Sequence, residues 1–128
     1  MELLLDTHVL IWFFSGDEKL SDNAKNLIED VDNIKYIGVA SIWEMAIKQS
    51  KGKLTLSLPL DNYIQEKIKL EDFQLLNIKL SHLKVVSQLP FHHSDPFDRL
   101  LIAQAIVENI SIISQDSMFN SYNIPLID

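Results

Sequence analysis

The sequence predicts a three-layer α/β/α domain built on a central parallel sheet of about five strands. Short apolar runs alternate with segments whose apolar residues recur at helical spacing. Consecutive apolar residues are typical of strands that are buried on both faces, as in parallel sheets. Because strands and helices alternate, we expect right-handed crossover connections with helices on both faces of the sheet.

The strands are predicted from runs rich in Leu, Ile and Val. The five predicted strands cover residues 3–5, 36–40, 75–78, 110–113 and 124–127. Segments with helical spacing separate the first four of them, so these strands are expected to run parallel.

The helices are predicted from apolar stripes and from residues that start or stop a helix. A first helix over 9–14 follows the first strand, and Ser21 is placed as the N-cap of a second, whose stripe contains Leu27 and Ile28. Ser41 is placed as the N-cap of the third. The six predicted helices cover residues 9–14, 21–31, 42–49, 60–70, 80–89 and 97–107, with Gly52 after the third and Pro90 closing the fifth.

Length and composition narrow the classes of protein. The chain has 128 residues, about the size of one domain, and no stretch reads as a linker, so we expect a single domain over 1–128. The absence of cysteine excludes disulfide scaffolds, zinc ribbons and thiol nucleophiles. A net charge of −7 argues against a broad phosphate-binding surface, so a nucleic-acid ligand would need a bound divalent cation or a local basic patch. The N-terminus carries no basic leader, and we expect a cytoplasmic protein.

Four acids are predicted to meet at one edge of the sheet. Asp6 follows the first strand, Asp116 follows the fourth, and Glu44 lies in the first turn of the helix after the second. Asp98 starts the sixth helix, and antiparallel packing of that helix on the fourth strand brings it to the same edge. In open parallel sheets, ligands bind beyond the carboxyl ends of the strands.

Each acid taken alone has a structural explanation, because carboxylates are favoured at helix N-termini. Asp6 and Asp116 can cap the turns they enter, and Ser41 with Glu44 matches a capping box. Residues 95–98 match another helix start, with proline at the first helical position. This explanation leaves open why four separate elements deliver carboxylates to one edge.

Clustered carboxylates repel each other unless an opposing charge is present, and a divalent metal is the simplest such charge. Mg²⁺ and Mn²⁺ prefer oxygen ligands and promote phosphodiester hydrolysis by polarising the phosphoryl oxygen and activating a water. The acids therefore indicate a candidate metal-dependent hydrolase.

Four motifs carry these acids. They read LLDTH at 4–8, VASIWE at 39–44 with Lys48 beyond it, HHSDPFDRLLIAQA at 92–105 and ISQD at 113–116. By these motifs, and over nearly its full length, the chain resembles the PIN-domain family, and within it the VapC-like ribonuclease toxins of bacterial type II toxin–antitoxin systems.

The resemblance implies a set of metal-binding and catalytic acids, which are Asp6, Glu44, Asp98 and Asp116. It also implies that Thr7 or Ser41 orients ligands or water. Asp95 is an additional carboxylate, and its simpler role is an N-cap that pairs with Arg99. The implied activity is a Mg²⁺- or Mn²⁺-dependent endoribonuclease acting on RNA and held inactive by a cognate antitoxin.

Two basic residues are candidates for RNA contact. Arg99, the only arginine, either holds a phosphate or forms a structural ion pair with Asp95. Lys48, on the helix of Glu44, either contacts RNA or lies at a solvated helix end.

Histidines and aromatic residues near the motifs have simpler explanations. His92 and His93 are adjacent, so they point apart and are expected in a solvated loop, and His8 lies at the rim of the site or is an ordinary helix residue. Residues 12–14, WFF, cover most of a helix circumference, so part of this cluster is expected to meet another chain. We therefore expect a homodimer that also binds an antitoxin.

Other functions fit the sequence less well. Receiver-type phosphoacceptor domains and aspartyl-nucleophile phosphatases usually carry paired acids after the first strand. This sequence lacks them, because Asp6 is followed by Thr7 and His8. Dinucleotide or ATP binding lacks a glycine-rich phosphate loop. The strongest alternative is a catalytically inactive PIN-like binding module that acts only through protein partners.

Overall fold

A computed structural model describes residues 1–128, and it contains the predicted five-stranded parallel sheet flanked by helices. The strand order is β3-β2-β1-β4-β5, with every neighbouring pair parallel. The strands are β1 (Glu2–Leu5), β2 (Ile34–Gly38), β3 (Gln74–Leu76), β4 (Ser111–Ile113) and β5 (Leu126–Ile127). The predicted α/β class is confirmed.

Six α-helices lie between these strands. They are α1 (Thr7–Ser15), α2 (Asp22–Glu29), α3 (Val39–Ser50), α4 (Leu60–Tyr63), α5 (Leu80–Gln88) and α6 (Pro96–Glu108). A 3₁₀ turn over Ser117–Ser121 lies between β4 and β5. None of these helices is long and apolar enough to cross a bilayer.

The core lies on both faces of the sheet, which explains the continuous apolar run of β1. Leu3 and Leu5 belong to a cluster with α1 and α2, whereas Leu4 belongs to a second cluster with α6. All three side chains are fully buried. Successive side chains of a strand point to opposite faces, so a strand covered on both sides needs apolar residues at every position.

The start of α3 differs from the prediction. The helix begins at Val39 with Gly38 as its N-cap, so Ser41 is its third residue and the predicted Ser41 N-cap is wrong. An ideal Cβ on Gly38 would lie 3.2 Å from the side-chain oxygen of Gln104 on α6. The close approach of α6 favours glycine there, and β2 passes into α3 without a loop.

The predicted helix over 60–70 is divided. After the single turn of α4, the chain continues as a π-helix over Ile64–Lys69. Tyr63 and Ile68 are both buried and are five residues apart, and the wider π-helical turn brings this spacing onto one face. Packing against the core therefore outweighs the ordinary α-helical period.

The aromatic cluster of α1 packs inside the molecule. Trp12, Phe13 and Phe14 are half-buried against the first core cluster, and the Phe14 ring lies 5.4 Å from that of Phe73. The leucines of the segment before α4 also pack on this cluster. All three rings pack against one core cluster but stay partly exposed, and the expectation that part of this cluster meets another chain stays a prediction.

Candidate active site

Asp6 lies at the junction of β1 and α1, where its carboxylate is held from two sides. Its Oδ1 accepts from the His8 backbone N–H at 3.2 Å, and its Oδ2 accepts from the Ser114 hydroxyl at 2.7 Å. Burial opposes ionisation of Asp6, but the hydrogen bonds from His8 and Ser114 outweigh it, so its pKa lies below 3.8. Asp6 is therefore an ionised and oriented carboxylate.

Glu44 reaches this edge from the second turn of α3. The Thr7 hydroxyl donates to its Oε1 at 2.8 Å, and Lys48 Nζ lies 3.1 Å from its Oε2. Because α3 begins at Val39, the expected capping box of Ser41 and Glu44 is wrong and the Glu44 carboxylate caps no helix. Ser41 is buried and makes no hydrogen bond to any of the four acids.

Asp98 is the third residue of α6, and its side chain is 21% exposed. The N-cap of this helix is Asp95, whose Oδ1 accepts from the backbone N–H groups of Phe97 and Asp98. Burial, followed by the negative charges of Asp6 and Asp95, raises the pKa of Asp98 to about 7. Asp98 is thus an acid without an adequate counter-charge.

Asp116 follows β4 and is joined to Asp98 through His93. Its Oδ1 accepts from the Met118 N–H at 2.9 Å, and His93 Nε2 lies 2.9 Å from its Oδ2. The same nitrogen lies 3.0 Å from Asp98 Oδ2. The structure therefore places Asp116 beside Asp98.

The prediction of a solvated loop is wrong for His93, whose side chain is only 12% exposed. The Tyr122 hydroxyl accepts from the backbone N–H groups of His92 and His93 and donates to the Pro90 carbonyl at 2.7 Å. This buried tyrosine fixes the loop that carries His93. Its contribution comes from about 30 residues away, so no local pattern reveals it.

A cavity of about 420 Å³ opens on this edge. Its lining residues are Asp6, His8, Val9, Trp12, Asp98, Gln115 and Asp116. Glu44 does not line it but lies next to it, because its carboxylate accepts from the hydroxyl of Thr7, the residue that follows Asp6. The structure thus brings the four predicted acids together, three at the cavity and one beside it.

Arg99 does not belong to this site. It is 5% exposed, and its guanidinium lies 3.9 Å from the Phe91 ring centre. Its N–H groups donate to the carbonyls of Val86, Leu89 and Pro90. Adjacent helix residues point about 100° apart, so Arg99 faces inward while Asp98 faces the cavity. The structure contradicts both the RNA contact and the ion pair with Asp95 predicted for it.

Two contacting residues were missed from the sequence, His93 and Ser114. Ser114 is fully buried, donates to Asp6 and accepts from the Asp116 N–H at 3.1 Å. Its position directly after β4, at the edge that carries the acids, is the signal that could have identified it. Lys48 and Thr7, both predicted near the site, contact Glu44.

Comparison with known proteins agrees with the fold and the motifs. The model of the PIN domain family matches residues 3–124. Ribonuclease VapC22 of Mycobacterium tuberculosis is 27% identical over 124 residues, which are 96% of this chain and 93% of that protein.

Solved structures are similar in fold. VapBC2 from Rickettsia felis, crystallised with a promoter DNA fragment, has a TM-score of 0.71 at 18% identity, covering 99% of this chain and 98% of that one. VapBC-1 from nontypeable Haemophilus influenzae has a TM-score of 0.69 at 15% identity, covering 100% and 98%. Because the family model spans nearly the whole sequence, the chain belongs to the PIN domain family.

Proposed function

We propose that the chain is a single-domain, metal-dependent endoribonuclease toxin that hydrolyses RNA phosphodiester bonds and is inhibited by a cognate antitoxin. The acids proposed to hold Mg²⁺ or Mn²⁺ and to support catalysis are Asp6, Glu44, Asp98 and Asp116. The observation that carries this proposal is the convergence of carboxylates from four elements on one edge of the sheet, three of them lining the cavity and Glu44 beside it, with the pKa of Asp98 raised to about 7.

The donor set fits a hard divalent cation. Asp6, Asp98 and Asp116 have no lysine or arginine within ion-pair distance, and only Glu44 has its own, Lys48. Carboxylate oxygens suit Mg²⁺ and Mn²⁺, and such a cation would offset the burial and the neighbouring negative charges that raise the pKa of Asp98. The residues present therefore fit the implied metal.

The chain holds these carboxylates in place before any ligand arrives. Ser114 and the His8 N–H orient Asp6, and Thr7 orients Glu44. When bound, the cation supplies Lewis acidity, which polarises a phosphoryl oxygen and makes a water a better nucleophile. Contacts that orient metal ligands are part of what determines affinity at such sites.

The cavity also offers contacts for a nucleotide. Its aromatic wall is formed by His8 and Trp12, whose ring centres lie 5.9 Å apart. An unpaired base can stack on such a wall, a mode typical of proteins that bind single-stranded nucleic acid. Lys48, whose side chain is 34% exposed, is the proposed phosphate contact, and the similarity to a protein named a ribonuclease supports RNA as the substrate.

The inactive binding module has support from two caps. The carboxylates of Asp6 and Asp116 each accept from a backbone N–H at the start of a helix. Glu44 and Asp98, however, cap no helix, and Asp98 has its pKa raised to about 7. A partly buried acid that has neither a counter-charge nor a capping role favours the enzyme.

Antitoxin binding and a homodimer are part of the proposal. Similar folds include a toxin–antitoxin complex from Klebsiella pneumoniae, with a TM-score of 0.68. A basic group from an antitoxin would enter the acidic cavity and compete with the cation. Co-expression with a neighbouring open reading frame followed by co-purification tests the antitoxin, and light scattering of the isolated chain tests the dimer.

The deciding experiment incubates the purified chain with mixed cellular RNA in Mg²⁺ or in EDTA. We expect cleavage with Mg²⁺, none with EDTA, and fragment ends that identify the cleaved sequence. Asp6→Asn, purified in the same way, controls for a contaminating nuclease and should not cleave. Cleavage that survives EDTA, or that Asp6→Asn retains, contradicts the proposal.

A further inference from the structure

The ring of His93 occupies a position between two proposed metal-binding acids. Its Nε2, Asp98 and Asp116 offer ligand atoms that all lie within 4.8 Å of one another. A histidine with two carboxylates is a set that borderline transition metals also accept. The contacts of the ring decide whether His93 ligates a cation or only orients its neighbours.

The contact of His93 Nδ1 shows which ring nitrogen carries the proton. His93 Nδ1 accepts from the Asp95 backbone N–H at 3.2 Å, so Nδ1 carries no proton. In a neutral imidazole one nitrogen donates and the other accepts, which places the proton on Nε2. A neutral histidine that ligates a metal through Nε2 needs its proton on Nδ1. In this structure Nδ1 faces the Asp95 N–H and is itself the acceptor, so it has no room for a proton.

The Nε2 proton has acceptors close by. Nε2 donates to Asp116 Oδ2 at 2.9 Å, and Asp98 Oδ2 lies 3.0 Å from the same nitrogen. An unprotonated Nε2 would instead face two carboxylate oxygens with its lone pair. The contacts of both ring nitrogens therefore agree on one tautomer.

The surroundings hold the ring in this orientation. The Tyr122 hydroxyl accepts from the His93 backbone N–H at 2.9 Å, and the ring lies 5.8 Å from that of Phe119. Asp116 is then held through both oxygens, by the Met118 N–H and by His93. The carboxylate has little rotational freedom left.

We infer that His93 is a positioning residue. Its Nε2–H donates a hydrogen bond to the paired carboxylates of Asp98 and Asp116, and the ring does not ligate the divalent cation. This inference rests on the proposed function, because it concerns the same metal site. It implies that the cation meets oxygen ligands on this side of the cavity. Loss of the Nε2–H donor should weaken the binding of all divalent cations by the same factor, since no ligand atom is lost.

The first test uses the wild-type chain with ¹⁵N-labelled histidine and long-range ¹H–¹⁵N correlation spectra. We expect His93 to show a proton on Nε2 and none on Nδ1, both without metal and after adding Mg²⁺, with His92 as an internal reference. A proton on Nδ1, or an Nε2 signal that becomes metal-ligated, overturns the inference. This reading in metal-free protein does not depend on whether the chain is a ribonuclease.

The second test compares His93→Phe with His93→Gln, with His92→Phe as the matched control on the exposed neighbour. Calorimetric titration should show Mn²⁺ and Mg²⁺ affinity falling about 10–100-fold in His93→Phe, the usual effect of losing such a contact. The Mn²⁺ to Mg²⁺ ratio should not change. His93→Gln keeps an N–H donor and should recover most of the affinity.

The outcomes separate the two proposals. A ratio that falls in both His93 variants identifies a nitrogen ligand and overturns the inference, and so does an affinity that His93→Phe leaves unchanged. A folded wild-type chain that binds neither cation contradicts the proposed function, while the metal-free spectra still test the tautomer.

Discussion

The two ends of α6 carry one acid each, with opposite electrostatics. Asp98 near the N-terminus and Glu108 at the C-terminus both have side chains 21% exposed. The helix dipole favours a negative charge at the N-terminus, yet the pKa of Asp98 is raised to about 7 and that of Glu108 is lowered. Position on the helix therefore does not decide the behaviour of these acids.

Their neighbours explain the difference. At Glu108 the hydrogen bond from Lys79 is the largest effect and outweighs burial, with Lys79 Nζ 2.5 Å from Oε1. At Asp98 burial acts together with the negative charges of Asp6 and Asp95, and no lysine or arginine lies within ion-pair distance. The charge of Glu108 is balanced by Lys79, whereas Asp98 lacks a positive charge that a divalent cation can provide.

The largest expected effect comes from neutralising each acid in turn. Asp98→Asn should reduce Mg²⁺-dependent RNA cleavage at least about 10³-fold, because metal catalysis stabilises the transition state by several kcal/mol. Glu108→Gln, at the other end of α6, should cleave at the wild-type rate. Initial rates on one labelled RNA measure both. Equal rates for Asp98→Asn and wild type would remove Asp98 from the catalytic set.

The pH dependence of stability should separate the same two acids. In metal-free buffer, the stabilisation from the raised pKa of Asp98 is present below about 4 and is lost as pH rises through about 7. Asp98→Asn should therefore become more stable than wild type between pH 5 and 8, by up to about 4 kcal/mol. Urea unfolding followed by circular dichroism measures this difference.

Glu108→Gln is the control for that series. The lowered pKa of Glu108 stabilises the fold above the unfolded-state value, so its contribution should be level from pH 5 to 8. Saturating Mg²⁺ should remove the advantage of Asp98→Asn. If the difference in free energy of unfolding between wild type and Asp98→Asn is the same at pH 5 and pH 8 without metal, Asp98 is not an uncompensated acid.

An intermediate effect is expected at Ser114. Ser114→Ala removes a buried hydrogen bond to Asp6 and should lower the free energy of unfolding by about 1–3 kcal/mol. Mg²⁺ affinity should fall about tenfold, because Asp6 loses a contact that orients it. The exposed Ser117→Ala is the matched control and should change neither. Unchanged Mg²⁺ affinity in Ser114→Ala would limit Ser114 to a structural role.

The smallest effect is expected at Lys79. Lys79→Ala breaks the ion pair with Glu108, but the lysine side chain is 56% exposed, so the loss should stay below about 1 kcal/mol. High salt should reduce the difference further because it screens exposed charges. Lys84→Ala, an exposed lysine of α5 that forms no ion pair, serves as control in urea titrations at low and high salt. A large, salt-independent loss would show that this end of α6 depends on its ion pair.

Much of the fold follows from local patterns. The run at β1 predicts a strand buried on both faces, and Ser21 and Asp95 cap their helices as expected. The glycine at the start of α3 and the π-helix over Ile64–Lys69 were not predictable, because Gly38 lies against Gln104 of α6 and the π-helix buries Ile68 in the core. Contacts between residues distant in sequence leave no local signal.

The site divides in the same way. The sequence by itself determined which residues carry carboxylates at the ends of β1 and β4 and at the start of α6, because parallel topology brings such positions to one edge. Only the tertiary structure decided where neighbouring side chains point. Arg99 turns inward while Asp98 faces the cavity, and Tyr122 fixes the loop that brings His93 to Asp116. Side-chain direction depends on packing partners far along the chain, and a motif records residue types but not those partners.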